Sequence, residues 1–153
     1  MKNYILILLL AAPSLMQAQN LKVTSIECQV KGSTKLMGDT DRISDIVYVR
    51  VFDSSPPRIL VKGNELNFVV VGAIASNDSG HAAEGVDRST EDFWHMSGKN
   101  TGPDGWRFNN EVRINRVTGS ISMRSISTSP QGVESTSEAS GSCVSMKEGQ
   151  RKF

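Results

Sequence analysis

Glu111-Val112-Arg113-Ile114-Asn115-Arg116-Val117-Thr118-Gly119-Ser120-Ile121-Ser122-Met123-Arg124 is the stretch that settles the fold class. Val112 and Ile114 fall on one side of an extended chain, and Glu111, Arg113 and Asn115 fall on the other. After a turn at Arg116-Val117-Thr118-Gly119, Ile121 and Met123 alternate with Ser120, Ser122 and Arg124 in the same way. A side-chain period of two belongs to a strand with one buried face. Gly119 supplies the positive φ that a tight return usually needs. The segment predicts an antiparallel hairpin, apolar inward and polar outward.

Outward from this hairpin, the chain repeats the theme. In residues 24–30, Ile26, Cys28 and Val30 alternate with Ser25, Glu27 and Gln29, which predicts a half-buried strand ended by Lys31-Gly32-Ser33. Residues 36–41 read as a loop around Gly38. Residues 46–52 (IVYVRVF) are β-branched or aromatic on both faces, as a central strand requires. Ser54-Ser55-Pro56-Pro57 stops that strand, because proline offers no ladder donor. Residues 59–61 and 66–71 flank Gly63-Asn64, a hairpin signal. Residues 73–92 read as a long loop with one short helical turn at 82–88. Residues 93–96 and 106–108 read as strands around a turn-forming run at 98–105. The phase slips at Ile126, which predicts a bulge or the end of the strand. Residues 125–140, rich in Ser, Thr and Glu, read as a mobile loop, and residues 141–146 as the last strand. The fold expected is all-β: one antiparallel small barrel or sandwich of about seven or eight strands.

Residues 1–18 have the layout of a secretory signal peptide, helical in its apolar core. Met1-Lys2-Asn3 is a basic start, residues 4–12 are apolar, and Pro13-Ser14-Leu15-Met16-Gln17-Ala18 is a polar, small-residue exit. The apolar run is too short to anchor in a bilayer. The expectation is therefore a leader at 1–18 and a single exported β domain at 19–153, periplasmic or secreted. Of the 17 basic residues only Lys2 lies in the leader, leaving 16 against 16 acidic ones. A balanced, interspersed charge lacks the field that gathers nucleic acid, so no nucleic-acid partner is expected. A membrane β-barrel is excluded as well. If Phe153 closed a lipid-facing strand, Arg151, Gly149 and Lys147 would share its face.

The two cysteines, Cys28 and Cys143, lie near opposite ends of the exported part. In an oxidising compartment an even pair is most simply a disulfide. Closing a loop of over a hundred residues is worth roughly 4 to 5 kcal/mol in the chain-entropy account. The rival roles fit less well. A lipid anchor needs a small-residue box before the cysteine at the cleavage point, whereas Cys28 follows Ser25-Ile26-Glu27. A metal thiolate needs further ligands in sequence reach of either cysteine.

Ile114-Asn115-Arg116-Val117-Thr118-Gly119, then Gly141-Ser142-Cys143, then a closing Arg151-Lys152-Phe153 resembles a group of small exported proteins of Gram-negative bacteria. Those proteins carry a leader, an early cysteine in the first strand and this ending. The specific likeness covers roughly the last forty residues. It implies compartment, β architecture and pairing of Cys28 with Cys143, and it carries over no functional residue.

The chemistry-bearing side chains form no recognised catalytic motif. His81 lies near Asp78, Glu84 and Asp87, but their spacing matches no established metal set. His95 sits between Trp94 and Met96. If those two face a core, it faces solvent or a cross-strand partner. No Gly-x-Ser-x-Gly elbow, Ser-x-x-Lys box or glycine-rich phosphate loop is present. Asn77-Asp78-Ser79 reads as a turn. Two features point to binding. Phe93, Trp94, Trp106 and Phe108 form an aromatic group if the strands bring them together. Ser55-Pro56-Pro57-Arg58 presents a basic side chain on a stiff loop. The binding residues expected are thus Trp94, Trp106 and Arg58, with no catalytic residue, metal or cofactor. The expected role is a non-catalytic module that binds a protein or cell-envelope component. Alternatives are a lipocalin-like carrier with an apolar cavity lined by Tyr48, Phe68 and Val70, and, less favoured, a metal-assisted hydrolase using His81 or His95.

Overall fold

The computed structural model describes residues 22–54, 57–72, 75–76, 82–102 and 104–145. Residues 1–18, His81, Asn77-Asp78-Ser79 and the closing Arg151-Lys152-Phe153 lie outside these residues. Ten strands follow in chain order: β1 (Lys22–Leu36), β2 (Asp39–Asp53), β3 (Arg58–Lys62), β4 (Asn67–Val71), β5 (Ala75–Ser76), β6 (Ala82–Asp87), β7 (Phe93–Thr101), β8 (Arg107–Asn115), β9 (Ser120–Thr128) and β10 (Glu134–Ser145). They form one antiparallel sheet in the order β4-β3-β2-β1-β10-β9-β8-β7-β6-β5. The sheet curls until β4 packs against β6, β7 and β8, giving a nearly closed barrel. The architecture is as expected, with ten strands rather than seven or eight.

The sheet has one seam between strands distant in sequence. Each strand pairs with its neighbour in sequence except at β4 and β5, where the barrel stays open. The first and last strands are paired to each other along eleven positions, from Ile26↔Ser145 to Leu36↔Ser135. Cys28 and Cys143 are direct partners in that ladder, and their sulfurs are bonded, with Cα atoms 3.9 Å apart. Gly32 and Gly141 make this close approach feasible. A methyl group on either would overlap the partner strand's backbone, at Glu138 O and Gln29 O respectively. Only glycine brings two backbones this near.

The hairpin at 111–124 forms as read. Val112, Ile114, Ile121 and Met123 are buried inside the barrel, paired as Val112↔Met123 and Ile114↔Ile121. Asn115 is the reason the turn is so tight. Its Oδ1 accepts the backbone N–H groups of Val117 at 2.9 Å and Thr118 at 2.8 Å, and its carbonyl accepts that of Gly119. Gly119 adopts φ 71°, and its carbonyl accepts the N–H of Cys143 at 2.7 Å. The Asn-Arg-Val-Thr-Gly turn and the disulfide strand are therefore one hydrogen-bonded unit.

Several elements run longer than the sequence reading allows. Gly32 does not end β1, which continues to Leu36. The turn is the two residues Met37 (φ 50°) and Gly38 (φ 98°), both left-handed as a twisted two-residue hairpin needs. Residues 82–87 are strand β6 rather than a helical turn, because they pair with β7. Residues 98–101 extend β7 instead of turning. Ile126 marks no bulge: β9 pairs without interruption to Thr128, and Ile126 is on the outer face. Residues 125–140, expected as a mobile loop, are mostly strand, with a short turn at 129–133.

The interior has two halves. At one end Ile26, Val30, Val47, Val49, Val51, Ile59, Val61, Val70, Met96, Val112 and Ile114 fill it. At the other end, beyond the short β3 and β4, Ile43 is buried among inward residues that are mostly small or polar. Ser125 donates to Asn110 Oδ1 at 2.6 Å, and the hydroxyls of Thr34 and Ser137 meet at 2.8 Å. Asp45 is buried too, but its two oxygens accept the N–H groups of Ile46 and Glu65, at 2.8 and 2.9 Å, pinning the β3–β4 loop. A buried carboxylate persists because both acceptors are used.

Two stability outcomes follow from the seam. Replacing both cysteines (Cys28→Ala with Cys143→Ala) is expected to lower unfolding free energy by about 3 to 5 kcal/mol in urea titration. A loss under about 1 kcal/mol would show that the ladder alone holds the ends together. Asn115→Ala leaves two amides without their acceptor and is expected to cost about 1 to 2 kcal/mol.

Candidate functional site

The three binding residues expected from sequence lie in three places. Trp94 pairs with Ile114 and Asn100 with Phe108, so Trp94 and Phe108 are at opposite ends of the β7–β8 hairpin. The intervening six positions of β7 span about 20 Å. The expected group of Phe93, Trp94, Trp106 and Phe108 does not assemble. Trp106 and Phe108 stack with each other, centroids 6.4 Å apart, beside the polar end. Phe93 is on the outer face under the Arg113 guanidinium, 4.3 Å from it.

Trp94 lies at the apolar mouth of the barrel. It packs against the core and carries the Arg116 guanidinium on its ring at 4.8 Å. Two adjoining hollows meet on it. One, about 240 Å³, is rimmed by Lys22, Asp53, Asp87, Ser89 and Thr90. The other, about 490 Å³, is lined by Ile26, Ile114, Gly119 and Cys143. The bend that follows β6 is firmly tied. Asp87 accepts the N–H of Ser89, whose hydroxyl accepts the N–H of His95. Trp94 is thus a plug with an exposed rim.

Arg58 is not held out on a loop. It opens β3 opposite Phe52, and its guanidinium folds back over that ring at 5.1 Å. It belongs to a broad outer surface that sequence reasoning missed. In the ladders, Val23, Phe52 and Arg58 form one row, Ser25, Arg50, Leu60 and Val69 the next, and Val144, Glu27, Tyr48 and Lys62 a third. Val23, Tyr48, Phe52 and Leu60 are half-buried. Val69 is 45% exposed, Val144 65%, and Ile46, one row further along, 47%. The signal was present in IVYVRVF, whose two apolar faces identify a central strand but also mark an apolar exterior.

That same alternation corrects the expected cavity lining. Val47 and Val49 point inward, so Tyr48 points outward, and it lines no interior space. Val70 is 1% exposed, and Phe68 packs against the core cluster. His95 is on the outer face, as its neighbours dictate, with Nε2 at 2.7 Å from Glu111 Oε1. Among the described residues no three His, Cys, Asp or Glu side chains converge as metal ligands. No protein-family model, no curated protein and no solved structure matches this chain.

The two tryptophans should separate in a stability test. Trp94→Ala opens the core and is expected to cost about 2 to 4 kcal/mol. Trp106→Ala removes one stacking partner and is expected to cost about 1 kcal/mol. Equal losses in urea unfolding would contradict this division.

Proposed function

We propose that the protein is an exported, non-catalytic binding module that engages a protein partner through the outer face of β1–β4 and the adjoining end of β10. The observation that carries this reading is the run of Val23, Tyr48, Phe52, Leu60, Ile46, Val69 and Val144 on one solvent-facing surface. Outward residues of a sheet facing water alternate to polar ones. An apolar exterior face is retained where something covers it. Its composition also supports the reading. Tyr48, Phe52, Arg50 and Arg58 supply the aromatic and guanidinium groups that anchor interface centres, and Glu27 and Lys62 give a charged rim. The disulfide ties β1 to β10 at the border of this face, which favours presenting it without rearrangement and lowers the entropy lost on binding. Export is supported by the leader-like residues 1–18 and by the disulfide, a bond that persists in oxidising compartments.

Site-specific photocrosslinking in the exporting cell tests the proposal. A crosslinker at Val69 or Val144 is expected to trap one and the same protein, and Leu60→Glu is expected to abolish both adducts. A crosslinker at Lys99, on the opposite side of the barrel, should trap nothing discrete. Identical adducts from all three positions, or none from any, would refute the assignment.

A further inference from the structure

Past the apolar face of β1–β4 the exterior turns polar, as in the row Lys31, Ser140, Ser122 and Arg113. What stands out there is a strand edge rather than a face. β2 pairs with β1 over its whole length, from Asp39 to Asp53, but on its other side β3 covers only Tyr48 to Phe52. The β3–β4 hairpin tells which backbone groups are left over. Gly63 donates to the Leu66 carbonyl and Gly72 to that of Pro57, so odd-numbered β3 residues bond to β4 and even-numbered ones to β2. The partners of those even residues, Tyr48, Arg50 and Phe52, therefore direct their N–H and C=O groups toward β3. By the same alternation Thr40, Arg42 and Ser44 direct theirs to that side, where among the described residues no strand pairs with them.

This edge is bounded and open to solvent. At one end Asp45 accepts the N–H of Ile46, the next edge-directed group, at 2.8 Å, and that of Glu65 at 2.9 Å, so the β3–β4 turn closes over it. From Asp39 to Asp45 the strand runs about 20 Å. Thr40, Arg42 and Ser44 are all exposed. Elsewhere an overhanging strand is capped. β7 begins before its pairing with β6 starts, and there Arg88 donates to the His95 carbonyl and Thr90 to that of Phe93. An uncapped ladder edge is a template for a further extended chain.

Side chains along the edge decide which chain. Asp39 and Asp41 are exposed on the inward side with Ile43 buried beside them, and Arg42 stands on the outward side between Thr40 and Ser44. Among the described residues neither aspartate nor Arg42 has an ion-pair partner. These charges oppose a second copy. Antiparallel self-pairing about Arg42 sets two guanidiniums together, and about Asp41 two carboxylates. Self-pairing about Ile43 sets Asp41 of each copy opposite Asp45 of the other. A strand with the reverse order of charge meets no such conflict.

We propose that the free edge of β2 binds an extended segment of a different protein by antiparallel strand addition, with lysine or arginine beside Asp39 and Asp41 and a carboxylate beside Arg42. Main-chain hydrogen bonds to Thr40, Arg42 and Ser44 supply the attachment, and the charge order supplies the selection. The site is a backbone edge, and it does not rest on the partner proposed for the outer face of β1–β4.

The test is amide hydrogen exchange, read by NMR, on the purified disulfide-bonded protein with acetyl-Thr-Val-Glu-Lys-Thr-Lys-amide. Paired antiparallel from Ser44 to Asp39, this peptide places its Glu beside Arg42 and its two Lys beside Asp41 and Asp39. Exchange at Thr40, Arg42 and Ser44 is expected to slow at least tenfold at saturation, while Asp41 and Ile43, directed at β1, stay as they were. The charge-reversed peptide acetyl-Thr-Val-Lys-Glu-Thr-Glu-amide should bind at least tenfold more weakly, and so should the first peptide N-methylated on both Thr and on Glu. Asp41→Lys is expected to lower affinity for the first peptide tenfold or more. Arg42→Pro, a proline on an edge strand with its nitrogen toward solvent, should abolish the protection of Thr40 and Ser44. Equal binding of the reversed or N-methylated peptide, an unaffected Asp41→Lys variant, or no protection at all would each overturn the assignment. So would protection that rises with protein concentration in the absence of peptide, the mark of a second copy on the edge.

Discussion

The pairing of β1 with β10 is the constraint on which the barrel depends. In a sequential meander each strand finds its partner across a short turn, and little loop entropy is spent. The exception here joins residues 115 positions apart. Such a contact is slow to form and yields no return until the rest of the sheet is in place. Three features of the sequence converge on it. Cys28 and Cys143 fix the register covalently, Gly32 and Gly141 let the backbones close, and the Gly119 carbonyl receives the Cys143 amide. Sealing β1 against β10 moves the open gap to β4 and β5, in mid-chain.

That arrangement explains the shapes of the surfaces. The long β1–β2 hairpin is the backbone of both outer faces: its odd-numbered β1 residues Val23 and Ser25 face the apolar side, and Gln29, Lys31 and Ser33 face the polar one. The change of character occurs within a single strand face, between the rows of Glu27 and Lys31. It tracks the partners supplied by each side, Leu60 and Val69 from β3 and β4, Ser122 and Arg113 from β9 and β8. The interior divides in the same sense, because short β3 and β4 cover only one end. Where they stop, Asn110, Ser125, Thr34 and Ser137 replace valine and isoleucine and satisfy one another by hydrogen bonds.

Much of this was legible from residue order. The 111–124 hairpin, the buried Ile26-Cys28-Val30 alternation, the central character of residues 46–52, the disulfide and the outward His95 follow from a period of two and from cysteine parity. What escaped was decided by partners distant in sequence. Residues 125–140 carry the composition of a loop, yet Ser135, Ser137 and Ala139 face inward between β1 and β9, where only small side chains fit. Gly98 and Gly85 look like breakers but are direct partners in the β6–β7 ladder. The aromatic group failed for a simpler reason. Four aromatics close in sequence were placed at the two ends of one hairpin, because residues 97–101 extended the strand instead of bending it.

The same logic bears on where function can reside. Among the described residues, the buried apolar side chains form one cluster, Asn110, Ser125, Thr34 and Ser137 are engaged in hydroxyl–amide contacts at the other end, and the buried Asp45 is occupied in holding a loop. On the outside, strand register alone aligns side chains from five strands into rows. Rows of this kind are built without loops, so their spacing is as rigid as the ladder itself. Substituting one outward residue alters the row while leaving the inward alternation intact, whereas a register slip of one residue would exchange the two faces altogether. The disulfide forbids that slip at the one ladder whose turn cannot enforce it, and in doing so it protects the identity of both outer surfaces.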